Sequence, residues 1–288
     1  MTENRTQLRS AVKGAYDLQA LRIMSGNRLV ANFKSGLGIN PSTKEEDNKE
    51  ATTVLNQLKA EYTRLTDGVI TRLPNVSELK RGKLISSKAE AVLVQSYLRL
   101  LREEKSQLYQ LKVFLSEYPI WTTYLQPDIR GIGPAMAGVL ISELDPHKAK
   151  WPSSFHRYAG IGGSQSRKTE DLIDVTYTDK DGNEKTKKSI SYNPFLKAKL
   201  MGVMASLFLK GNAQYKEHYD RYKHRIQTSP NWEGKSKGHI HMASQRYMMK
   251  IFLTDLWKVW RELEGLEVGL SYAEQYHGEN HPSWSGNR

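Results

Sequence analysis

The residues whose types and spacing most clearly suggest chemistry lie mid-chain, at Asp128-Ile129-Arg130-Gly131-Ile132-Gly133-Pro134, followed by Ala137-Gly138. A Gly-hydrophobic-Gly turn opening straight into a helix leaves backbone N–H groups at the positive end of the helix dipole. With no side chain in the way, a phosphate oxygen can come close. This is the logic of a helix-hairpin-helix element, whose phosphate contacts position a duplex without reading its bases. Gly131, Ile132 and Gly133 are the residues expected to make those contacts. The same spacing also serves a plain tight turn between two helices, with no ligand at all.

Other groups of polar residues carry two readings each. Glu143 and Asp145 stand at a helix end, where two acids can share a metal but more often cap or face solvent. His239 and His241, with His218 and His224, suggest zinc only if the pair lies on a strand. The segment reads instead as a loop entering a helix, which favours phosphate contact or solvent, so no metal site is expected. Lys197, Lys199, Lys210, Lys216, Arg221, Lys223 and Arg225 interleave with Tyr215, Tyr219 and Tyr222. That pattern fits a basic face with stacking aromatics, or a core stripe of tyrosines beneath solvated charges.

The elements that must position these residues differ between the two parts of the chain. From about Thr6 to Phe33, Leu8, Val12, Ala15 and Leu18 recur at helical steps. Ser42 and Glu45 have capping-box spacing, and Ala51, Leu55, Leu58, Tyr62, Leu65 and Val69 then follow in 4-3-4-3-4 order, a coiled-coil seam. A third helix opens at Ser87 with Glu90 and carries Leu93, Tyr97, Leu100, Leu108, Leu111 and Leu115 before Pro119. Beyond a boundary near residues 118–128 the elements shorten. Pro134 suits the first position of a helix reaching Leu144, and another runs from about Pro152 to Ala159. Leu172 to Thr178 and Lys185 to Ser191 read as a hairpin about Asp181-Gly182. Helices follow from Pro194 to about Leu209 and from about His241 to Leu263. The fold class expected is mainly α: a long-helix bundle or coiled coil over residues 1–127, a helix-hairpin-helix domain with a small β-hairpin insertion over 128–264, and a polar tail over 265–288.

Gly131-Ile132-Gly133-Pro134 with Ala137, then Ile141-Ser142-Glu143-Leu144-Asp145, then Pro152-Ser153-Ser154-Phe155-His156-Arg157-Tyr158-Ala159-Gly160-Ile161 resembles the C-terminal domain of the Piv-type transposases and invertases, the bridge-RNA-guided recombinases. Lys185-Thr186-Lys187-Lys188-Ser189-Ile190, Asn193-Pro194-Phe195-Leu196 and Tyr215 to Arg225 continue the match in order. The resemblance spans about residues 128–264. It implies DNA as partner, with transposition or site-specific recombination as the process, and it admits a guide RNA. It also implies DNA contacts from Arg167, Lys168, Lys185, Lys187 and Lys188. The resemblance also implies a joining nucleophile, a serine shortly after the Tyr-Ala-Gly turn, which points to Ser164 or Ser166. A serine hydroxyl needs a base or a positive charge to stabilise its alkoxide and the phosphorane, and Arg167 and Lys168 stand next to these serines. The same segment also reads as a solvated loop that only touches phosphate. The family's RuvC-like nuclease has no counterpart in residues 1–127, which read as heptad helices. Catalysis is therefore left open, with Mg2+ expected if the chain is catalytic. The rival is a non-catalytic DNA-binding protein whose nuclease half gave way to an oligomerisation module, with a homo-oligomer formed through the N-terminal helices.

Composition bounds these readings. With 43 Lys and Arg against 31 Asp and Glu, the chain carries +12 at neutral pH, which favours a polyanion as partner. There is no cysteine, which excludes disulfides, thiolate zinc sites and cysteine nucleophiles. The longest apolar runs, Ala135 to Ile141 and Met201 to Leu209, are about half the roughly 20 residues a bilayer span needs. No membrane association is expected, and a cytoplasmic protein is, nucleoid-associated if prokaryotic.

Overall fold

The computed structural model describes residues 2–34, 47–163 and 171–269. It is mainly helical, with one two-stranded antiparallel sheet among the described residues. The elements divide into two compact units, Ser10–Val113 and Met1–Arg9 with Phe114–Arg288.

The first unit is built from α1 (Thr2–Lys34) beyond its opening turns, α2 (Asp47–Leu65), the single turn α3 (Val76–Leu79) and most of α4 (Lys88–Leu115). One apolar cluster holds them, with Leu29, Val30 and Phe33 from α1, Val54, Leu58, Tyr62 and Leu65 from α2, and Ala91, Val94, Tyr97 and Leu98 from α4. The expected seam on α2 is therefore filled by the chain's own helices. Two of its positions change. The helix ends at Leu65, so Val69 lies outside it and is exposed, while Val54 joins Leu58 in the core with Leu55 only partly buried. A straight helix of 3.6 residues per turn drifts from a strict 3.5 repeat, which moves the buried stripe sideways along α2. On α4 the core face likewise runs through Ala91 and Val94, leaving Leu93 exposed.

Caps set these boundaries. Ser87 Oγ accepts from Glu90 N at 3.2 Å and the Glu90 carboxylate accepts from Ser87 N at 3.0 Å, the reciprocal box expected at the start of α4. A second box at Asn75 and Glu78 opens α3, which the hydrophobic periodicity did not indicate. The Ser42–Glu45 pair lies outside the described residues. Two charged groups are buried in this unit with partners. Glu104 is held by the Arg22 guanidinium, and Glu61 accepts from the backbone N–H groups of Lys83 at 2.5 Å and Leu84 at 3.0 Å.

The second unit is centred on α10 (Lys237–Leu263), which packs against α6 (Pro152–Tyr158) and α9 (Ala213–Gln227). Between α6 and α9 the chain passes through β1 (Leu172–Thr178), β2 (Glu184–Ile190), α7 (Pro194–Lys199), a π-helical turn at Leu200–Met204, and α8 (Ala205–Gly211). Ahead of them stands α5 (Pro134–Glu143), with every residue from Met136 to Ser142 buried, as a helix apolar on all sides requires. Phe208 stacks on Tyr215 at 4.9 Å, and Phe252 meets both edge-on, which ties α8, α9 and α10 together. The hairpin pairs Val175 with Lys187, and Gly182 takes φ +84° in its turn, matching the Asp181-Gly182 signal.

Candidate functional site

The Gly131–Pro134 turn is shaped by one glycine more than the other. Gly131 has φ +96°, a left-handed conformation that a side chain strains, and it lies against Leu207 and Phe208 of α8. Ile129 and Ile132 are buried and anchor the turn, while Asn212 Nδ2 donates to Arg130 O at 3.1 Å. Gly133 is the N-cap of α5, with φ −92° and ψ 175°, and a Cβ there would meet nothing within 4 Å. No side chain caps this end of α5. The first helical N–H groups lack intrahelical acceptors by geometry, so the turn presents donors on its exposed side, beside exposed Arg130.

At the other end of α5 the structure assembles a cluster that no local sequence pattern indicated. Arg5 pairs with Asp145 at 2.8 Å and donates Nε to Ile141 O at 3.2 Å. Arg9 Nε stands 3.0 Å from Glu143 Oε1, off the angle of a hydrogen bond, and Nη2 donates to Ser142 O at 2.9 Å. Two cations thus close the C-terminal end of α5, where the dipole favours them. Each carboxylate has its own guanidinium, and Asp145 Oδ1 also accepts from His147 N at 3.0 Å, a capping contact of the kind expected at this helix end. Among the described residues no group of three or more His, Asp or Glu converges as a cation site.

Asn193 completes the cluster. Its Oδ1 accepts from Leu196 N at 3.0 Å and caps α7, while Nδ2 donates to Glu143 Oε2 at 2.6 Å and to the Tyr158 hydroxyl at 3.2 Å. The turn after α6 brings Tyr158 there, with Asn193 N donating to Tyr158 O at 2.8 Å. Gly160 makes that turn at φ +67°, with the Tyr192 ring so close that a Cβ would lie 2.5 Å from it. The acidic helix end, the Tyr-Ala-Gly turn and the Asn-Pro helix start are 50 residues apart at their extremes and meet here. A cavity of about 460 Å³ opens beside them, reached by Arg5, Arg9, Lys148, Ser154 and Tyr158, with buried Phe155 in its wall.

The remaining expected residues are distributed as follows. Ser164, Ser166, Arg167 and Lys168 lie outside the described residues. On β2, Lys185 pairs with Asp179 at 2.7 Å, Lys188 with Asp174 at 2.9 Å, and Lys187 sits 4.9 Å over the Tyr177 ring. The Lys185 ammonium and the backbone N–H of Asn183 hold the Asp179 carboxyl below its ordinary range. All three lysines are exposed.

The tyrosines of α9 are buried to different degrees. Tyr215 is fully buried and donates to Asp255 Oδ2 at 3.0 Å, and burial raises its hydroxyl well above the ordinary tyrosine range. Tyr219 is buried against His241, whose Nδ1 is 2.6 Å from its hydroxyl. Tyr222 is half-buried, stacked on Tyr247 at 4.2 Å with Arg225 over it. His239 and His241 both stand in the first turns of α10, so their rings point apart. His156, from α6, shares Nε2 with Lys250 O at 3.0 Å and Thr254 Oγ1 at 3.2 Å. Burial, with the Lys250 charge, pushes its imidazole down to about 4.

Compared with protein-family models, curated proteins and solved structures, the chain matches none. No helix among the described residues is long and apolar enough to cross a membrane.

Proposed function

We propose that the chain binds DNA in the service of transposition or site-specific recombination, using residues 128–264 as a helix-hairpin-helix grip like that of the Piv-type transposases. The observation that carries this reading is the Gly131–Pro134 turn. The left-handed Gly131 folds the chain back, Gly133 is bare, and α5 begins with no side chain over its free N–H groups. A backbone phosphate can approach such an end to hydrogen-bond distance and gain from the helix dipole. The +12 charge supplies a sequence-independent attraction that weakens with salt. Exposed Lys185, Lys187 and Lys188 offer further cations for phosphate on the hairpin, although two of them must exchange a carboxylate for a phosphate.

Gly133→Val is the discriminating variant. Its backbone is extended and the space around it is open, so Val fits without strain while its methyl groups stand where a phosphate would come. Duplex affinity should fall about tenfold at low salt, on the scale of a lost charge-assisted hydrogen bond, while the melting temperature falls by no more than about 4 °C, the cost of a poorer N-cap. Equal binding by parent and variant at every salt concentration would remove the grip.

If the chain also joins strands, Ser164 or Ser166 is the nucleophile: its oxygen bonds to phosphorus, the P–O bond to one sugar breaks, and that sugar oxygen leaves as a hydroxyl in place of the serine proton. The serine–DNA ester should then accumulate on supercoiled DNA with Mg2+. The adduct should vanish in Ser164→Ala with Ser166→Ala. One observation favours the non-catalytic alternative: the described part of Ser10–Val113 is a helical unit around its own apolar core. That is where the family keeps its nuclease. Sedimentation of the wild-type chain tests whether it self-associates.

A further inference from the structure

We propose that the cavity at the C-terminal end of α5 is a nucleotide site, holding a phosphate on Lys148, Ser154 and Tyr158 with the rest of the nucleotide against its apolar wall. The nucleic-acid source of that phosphate rests on the DNA-binding reading, whereas the chemistry of the site does not.

The donors and acceptors in the cavity are unequally used. Its two carboxylates are already engaged, Asp145 by Arg5 and Glu143 by Arg9 and Asn193, and the Glu143 side chain is only 7% exposed. The donors opposite them are available. Lys148 has no carboxylate partner among the described residues, and Ser154 Oγ makes no hydrogen bond there. The Tyr158 oxygen accepts from Asn193, which leaves its own proton to give. Ser154 and Tyr158 stand four residues apart on one face of α6, as Arg5 and Arg9 do on α1, so both sets point into the same space. Once each guanidinium is matched to its carboxylate, the ammonium of Lys148 is the surplus charge. A ligand that only accepts hydrogen bonds and carries negative charge fits this inventory, which describes a phosphate ester.

Size separates a nucleotide from inorganic phosphate. At about 460 Å³ the cavity falls in the range of sites that enclose a small organic ligand, many times what one phosphate fills. Phe155 and Leu144, both buried, give the remaining volume an apolar wall for a sugar or base.

The test uses the full chain and Lys148→Gln combined with Ser154→Ala, which removes the surplus charge and one free donor without touching a bond the fold uses. Three probes are titrated: a fluorescent single-stranded oligonucleotide, a duplex, and deoxyadenosine monophosphate. The double variant should bind the single strand about tenfold more weakly. Its plot of log Kd on log salt should be shallower by about 0.7, as for one lost phosphate contact on a single strand. The mononucleotide should compete with the strand on the parent and not on the variant. Unchanged affinity and salt slope for strand and mononucleotide alike would overturn the site. A parent that binds mononucleotide but no strand, with that binding lost in the variant, would keep the site as one for free nucleotides while the DNA reading fails. Loss of duplex binding in Gly133→Val alone bears on the turn and leaves the cavity standing.

Discussion

The neutral imidazole of His156 should make the second unit sensitive to mild acid. In the folded chain the group titrates at about 4, against an ordinary 6.5, because burial and the neighbouring Lys250 charge oppose protonation. Its partners, Lys250 O and Thr254 Oγ1, are both satisfied by a neutral ring with its proton on Nε2. Since the folded value lies below the unfolded one, the unfolded chain binds the extra proton first. Stability is fully present above pH 6.5 and falls as the pH drops toward 4. At about 1.4 kcal/mol per unit, the interval amounts to on the order of 3 kcal/mol. All five tryptophans among the described residues lie beyond residue 113, so their fluorescence follows the unit that holds His156 and not the helical unit before it. Urea unfolding of the parent and of His156→Gln, which keeps a donor for Lys250 O, should give stabilities that converge as the pH falls from 6.5 to 4. A difference constant across that range would refute the buried neutral imidazole.

Gly131→Ala should cost about 1–2 kcal/mol through its left-handed backbone, whereas Gly133→Ala should be close to neutral, as thermal melts of the two variants can show. Gly160→Ala should cost more than either, because strain at φ +67° adds to a clash with the Tyr192 ring, and the chain should lose tryptophan burial before it loses helix content. Leu58→Asp should unfold the first unit by circular dichroism and leave the tryptophan signal in place, since the residue is 1% exposed within an intramolecular cluster. If the variant instead stayed helical and merely changed sedimentation, the seam would be an interface between copies.

Local rules carried the element starts. Ser87 with Glu90, Pro134, Pro152, Asn193-Pro194 and Asp181-Gly182 each act within a few residues, and each appears as a cap or turn where the sequence placed it. What escaped was whatever depends on distant partners. Arg5 and Arg9 show only helical spacing in sequence, and nothing local says that their carboxylates stand more than 130 residues away. Lys148, Ser154 and Tyr158 lie within ten residues of one another, but nothing local says that Arg5, Arg9 and Asn193 meet them around one cavity. Tyr215 and Tyr222 have the same residue type on one helix, yet one is fully buried and the other only half-buried. Only the packing of α10 decides which.

Asn193 uses a single side-chain amide in two directions, accepting for α7 and donating to Glu143 and Tyr158 at once. Few side chains can stand in its place. Aspartate keeps the acceptor but sets a second negative charge against Glu143, serine lacks the reach, and glutamine moves the amide off the cap. Asn193 is therefore a position where nearly every mutational step breaks two things together, so in any set of natural variants its identity should drift far less than those of its exposed neighbours.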